Sequence, residues 1–147
     1  KDIKQPKFRN EHQKAIINLL YTTSWISERQ KIIFDSEDIT PQQFNILRIL
    51  RGSYPQPIST LQIRERMLDK MSDTSRIVDR LVAKGLANKK PCETDKRLVD
   101  ISISEKGFAV LERLDNRNEE MDAIVNELQH EDLLQLNFLL DKLRKSY

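Results

Sequence analysis

Up to Gly85 the apolar residues of this chain recur at three- and four-residue steps. Just beyond it they alternate, and after Ser104 the helical step returns. Helical period on both sides of one short alternating stretch constrains the chain to a mainly α protein with a small β-hairpin. The first stripe is Ala15, Ile16, Leu19, Leu20, Thr23 and Ile26, opened by a capping pair, Asn10 with Gln13, and predicted to run to about Phe34. Thr40-Pro41-Gln42-Gln43 is a second start signal: a capping Thr, a Pro that suits the first helical position and a Gln that can close the box. Phe44, Leu47 and Leu50 line that helix, with Gly52 as its expected terminator. Ser59 and Gln62 frame a third, short helix expected to end near Lys70, with Ile58 and Ile63 as its hydrophobic staple.

Ser72 is the expected cap of a fourth helix, with Ile77, Val78, Leu81 and Val82 inward and Gly85 as terminator. Leu86–Pro91 and Leu98–Ser104 are the strand candidates, joined by the charged turn Glu93-Thr94-Asp95-Lys96-Arg97. Val99, Ile101 and Ile103 share one face. A continuous helix is predicted from Ser104 through the stripe Phe108, Leu111, Leu114, Met121, Ile124 and Leu128. The last helix runs near Glu131 to Ser146, with Leu133, Leu136, Leu140 and Leu143.

Composition narrows the class. At 147 residues, 33% charged and 38% hydrophobic, the chain can bury one core and carry an additional arm. No apolar run is long enough for a membrane span, and no leader is visible at Lys1. With one cysteine no internal disulfide is possible, so a cytoplasmic protein is expected. Residues 1–107 hold the basic excess and residues 108–147 are net acidic, the distribution expected of separate anion-facing and subunit-facing regions. His12 and His130 lie in different outer helices without a catalytic partner spacing, and there is no Gly-rich phosphate loop or HExxH. No enzyme activity, cofactor or metal is therefore expected.

The order helix, helix, helix, hairpin between Thr40 and Ser104 is that of a winged helix-turn-helix. A helix fills the major groove of duplex DNA and meets base edges there, while the helix before it crosses the backbone. The hairpin reaches toward the neighbouring minor groove, whose negative potential attracts a cation. Candidate DNA contacts on the reading helix are Ser72, Thr74, Ser75, Arg76 and Arg80. For Ser72 to Ser75, ordinary N-capping is the competing reading. On the hairpin they are Lys89, Lys90, Asp95, Lys96 and Arg97, where Asp95 can pair with Arg97 and stiffen the turn. A solvated hairpin is the alternative there.

Thr40-Pro41-Gln42-Gln43-Phe44, the run from Ser75 to Leu86, and Asp95-Lys96-Arg97 followed by Ile101 to Gly107 closely resemble the MarR family of bacterial regulators. The resemblance covers nearly the whole chain. It implies a homodimeric, sequence-specific regulator of transcription, a repressor on a palindromic double-stranded operator, with Arg97 as the wing arginine and Asp95 as its orienting partner. It divides the chain into an N-terminal arm and dimerisation helix (1–36), a winged helix-turn-helix (37–107) and C-terminal dimerisation helices (108–147). A small aromatic effector is a further implication, with Tyr21, Trp25, Phe34 and Phe44 as the pocket candidates. Core packing is the favoured reading of those four rings. A winged helix that binds another protein and not DNA is the rival function. Cys92, beside Lys89 and Lys90, is either a redox-sensitive thiol at the base of the wing or, as favoured here, incidental.

Overall fold

In a computed structural model, which describes residues 3–145, the chain forms seven α-helices and one two-stranded sheet. The helices are α1 (Glu11–Asp35), α2 (Pro41–Ser53), α3 (Thr60–Arg66), α4 (Thr74–Ala83), α5 (Glu105–Asp115), α6 (Asn118–Asp122) and α7 (His130–Arg144). The strands are β1 (Ala87–Pro91) and β2 (Val99–Ile103). Residues up to Arg117 form one compact unit and residues from Asn118 onward a second. Lys1 and Asp2 of the expected arm, and Ser146 at the expected end of the last helix, lie outside the described residues. Among the described residues no helix is long and apolar enough to cross a membrane.

Local chemistry sets most helix starts. Thr40 and Ser59 each accept the N–H of the residue three ahead, Gln43 and Gln62, whose amide oxygens accept the cap residue's own N–H. At α1, Asn10 Oδ1 accepts the Gln13 N–H, but the Gln13 oxygen reaches Arg9 N–H rather than closing the box on Asn10. The fourth helix departs from expectation. Its cap is Asp73, whose carboxylate accepts the Arg76 N–H, and Ser72 lies one residue outside. Gly85 does terminate α4: at φ 75° it lets Leu86 N–H reach Leu81 O and its own N–H reach Val82 O, the paired bonds of a Schellman end.

Three other expectations fail for identifiable reasons. Gly52 lies inside α2, which continues to Ser53. Ile46, Leu47 and Leu50 are buried, and that packing outweighs the weak helix preference of one glycine. α3 ends at Arg66, four residues early, where Met67 turns into the core. The helix predicted from Ser104 through Leu128 breaks after Asp115. Asp115, Asn116 and Asn118 are poor helix formers, and the Asn116 N–H caps Glu112 O and Leu114 O.

The core of the first unit lies among α2, α3, α4, the hairpin and α5. Ile46, Leu47, Ile63, Leu81, Ile101 and Leu111 are fully buried there. The strands run antiparallel, with Ala87 opposite Ile103 and Pro91 opposite Val99. Ile58 adds an isolated bridge to Ile101, with bonds of 3.0 and 2.9 Å, so the start of α3 is tied to the root of the hairpin. Ser104 caps α5 through the Gly107 N–H at 3.0 Å and donates its hydroxyl to Gly85 O at 2.6 Å. A Cβ on Gly107 would lie 2.3 Å from Leu86 O, so only glycine permits this approach of α5 to the segment after Gly85. Arg113 holds Glu37 with two bonds, 2.7 and 2.8 Å, and Arg51 holds Asp115 at 2.7 Å, fastening α5 to the end of α1 and to α2.

Candidate nucleic-acid interface

The first turn of α4 sorts its candidate contacts by face. Ser75, Arg76 and Arg80 are exposed. Thr74 is not: it is 4% exposed, directed into the protein, and its hydroxyl has no hydrogen-bond partner. The Ser72 hydroxyl is likewise buried without a partner. The sequence suggested short polar side chains pointing outward at 72 and 74. Shifting the cap to Asp73 rotates them, so that Ser75 and Arg76 are the outward pair. Backbone N–H groups at this helix end add a partial positive charge that favours phosphate.

The hairpin turn carries the other half of the surface. Arg97 is 90% exposed, and its guanidinium lies against Asp95, Nε to Oδ1 at 3.2 Å and an Nη to Oδ2 at 3.4 Å. Asp95 Oδ1 also accepts the Arg97 backbone N–H at 3.0 Å. The side-chain bond from Arg97, then its backbone N–H, holds the Asp95 carboxyl below the usual carboxylate range. The pair is therefore ionised at neutral pH and fixes the arginine at the tip of the wing. Lys90 and Lys96 are exposed beside it. Lys89 has a different role: its ammonium bonds Asp79 of α4 at 2.9 Å, locking the hairpin to the reading helix. Cys92 is half-buried, its sulfur 3.1 Å from Thr94 Oγ1.

The four aromatic candidates do not converge. Phe34 is 1% exposed, part of the core, and its ring centroid lies 4.6 Å from that of half-buried Phe44. Tyr21 and Trp25 line an open cleft of about 610 Å³ with Phe8 and Lys14, and Arg29 stacks on the Trp25 ring at 3.5 Å. Nine residues separate Trp25 from Phe34, about two and a half helical turns, which puts them on opposite sides of α1.

Sequence reasoning missed two residues that position this surface and read a third, Ile58, only as a helix staple. Asn45 of α2 accepts the Leu68 N–H at 2.9 Å and so pins the turn between α3 and α4. Asp79 anchors the hairpin and Ile58 braces it. Ile58 alone had a local signal, an apolar residue just before a cap. The other two are polar partners brought close only by folding.

Comparison with known proteins agrees with this geometry. The MarR family profile matches residues 39–99, which span α2 to the start of β2. The HTH-type transcriptional regulator PecS of Dickeya dadantii (strain 3937) is 29% identical over 115 residues, 77% of this chain and 69% of PecS. A mutant MarR from E. coli, solved in complex with operator DNA, has the same fold with a TM-score of 0.82. It is 21% identical over 93% of this chain and 98% of that one. The organohalide-sensing regulator RdhR, solved in its 2,4-dichlorophenol-bound form, gives a TM-score of 0.85 at 20% identity, covering 99% of this chain and 89% of its own.

Proposed function

We propose that the chain is a DNA-binding transcriptional regulator of the MarR family, acting as a homodimer that represses transcription from a palindromic operator. Each subunit inserts α4 into a major groove, where Ser75 and Arg76 meet base edges or phosphate and Arg80 lies one turn further along. Two-fold symmetry sets the half-sites about 34–36 Å apart, one helical turn of DNA. Arg97, oriented by Asp95, enters the adjacent minor groove, with Lys90 and Lys96 near the backbone. Residues 37–107 do the reading. The outer segments, 1–36 and 108–147, join the subunits, and the exposed apolar faces of α1 (Ile16, Leu20) and α7 (Leu136, Phe138, Leu139, Leu143) are the surfaces that support this role. The reading assigns the chain no catalysis and places it in the bacterial cytoplasm, where its operator is. RdhR binds 2,4-dichlorophenol, and here the Tyr21–Trp25 cleft is the surface offered to a small aromatic effector.

The observation that carries this function is the exposed, carboxylate-oriented Arg97 on a hairpin locked to α4. In a mobility-shift titration on DNA selected from a random pool, Arg97→Ala is expected to weaken binding about tenfold. It should also flatten the salt dependence by about 2 per dimer, one for each wing. Unchanged affinity and slope remove Arg97 from the contacts. Adding 2,4-dichlorophenol to the same titration should release DNA from the wild type, and undiminished retention rules out that effector class.

A further inference from the structure

The turn between α3 and α4 exposes two large apolar side chains, Leu68 at 86% and Met71 at 93%. Their position is built. The Leu68 N–H donates to Asn45 Oδ1 at 2.9 Å, the Met71 N–H to Asp69 Oδ1 at 3.0 Å, and the Ser72 N–H to Asp69 O at 3.2 Å. Met67, immediately before, is buried. The pinned backbone therefore turns one apolar residue inward and holds the next two in solvent. Isolated exposed leucines are ordinary, but two large apolar side chains on one anchored turn mark a contact surface.

We infer that Met71, with Leu68 beside it in the turn, reads thymine C5-methyl groups at the edge of the bases met by Ser75 and Arg76. This rests on the DNA-binding function proposed above. The turn is continuous with the reading helix: Met71 stands two residues before the Asp73 cap. Its surroundings in the chain suit a polyanion. Arg64, Arg66, Lys70, Arg76 and Arg80 are exposed. Asp69 and Asp73 accept backbone N–H groups, and Asp79 is paired with Lys89. The thymine methyl is the apolar group that the major-groove edge of a base pair presents. Methionine, unbranched and polarisable, conforms to such a target more readily than a stiff side chain.

The test uses the full chain and duplexes selected by it from a random pool, with each thymine of a half-site replaced in turn by deoxyuridine, which lacks only the methyl. Wild-type protein should lose about fourfold in affinity at one or two positions per half-site. Met71→Ala should bind the thymine duplex more weakly, lose discrimination at one of those positions and keep the salt slope, since no phosphate contact is removed. Its melting temperature should match the wild type because the side chain is exposed. Leu68→Ala should abolish any second position. Wild-type indifference to every methyl, or full discrimination surviving in the Leu68→Ala/Met71→Ala double variant, overturns this inference alone. Failure of the wild type to retain any DNA selectively overturns the DNA-binding function and this reading with it.

Discussion

Helices α4 and α7 carry apolar residues at the same three- and four-residue spacing, yet they end in opposite environments. α4 buries Val78 and Leu81 against α2, α3 and the hairpin, and its other face is left for Ser75, Arg76 and Arg80. α7 is half again as long and buries none of its residues; Phe138 remains 62% exposed. An apolar stripe states only that a helix needs cover. Where the same chain supplies it, the helix becomes part of a rigid reading head. Where it does not, the stripe is open to a second copy, as in the dimer proposed here.

The largest expected effect follows from breaking the open side. Phe138→Asp should yield a folded single subunit in sedimentation equilibrium and lower operator affinity about 100-fold or more, because linkage of two half-site contacts is lost. A variant that stays dimeric rules out α7 as the joining surface. On the packed side, Leu81→Ala should cost about 2–5 kcal/mol in urea unfolding, by loss of transfer energy and the cavity left behind. That cost should not depend on protein concentration, and a concentration-dependent loss would undo the contrast between the two helices.

The smallest effect sharpens the seam where α1 meets α5. Arg113's paired hydrogen bonds, opposed by partial desolvation, hold the Glu37 carboxyl below its ordinary value of 4.5. A carboxylate with a depressed folded-state pKa stabilises the fold above its unfolded value, and that contribution disappears as pH falls through the folded one. Glu37→Gln should therefore lower stability by about 1 kcal/mol at neutral pH, the exposed flank of Arg113 limiting the effect. The difference in melting temperature from wild type should close on acidification below pH 4.5. A gap that persists in acid would mean that Glu37 acts through packing and not through charge.

Much of this molecule could be read before folding was considered, because the relevant signals are local. Thr40, Ser59 and Ser104 cap helices through partners three residues away, Gly85 supplies a left-handed end, and Asp95 meets Arg97 within one turn. The order of those elements, and with it the class of nucleic-acid surface, follows from period and punctuation alone. Tertiary structure decided which faces those elements present. It buried Thr74 and directed Lys89 to Asp79. It also held Leu68 outward through Asn45, a partner 23 residues away in the chain. Those outcomes depend on packing and on hydrogen bonds between residues distant in the chain, and no spacing rule encodes them.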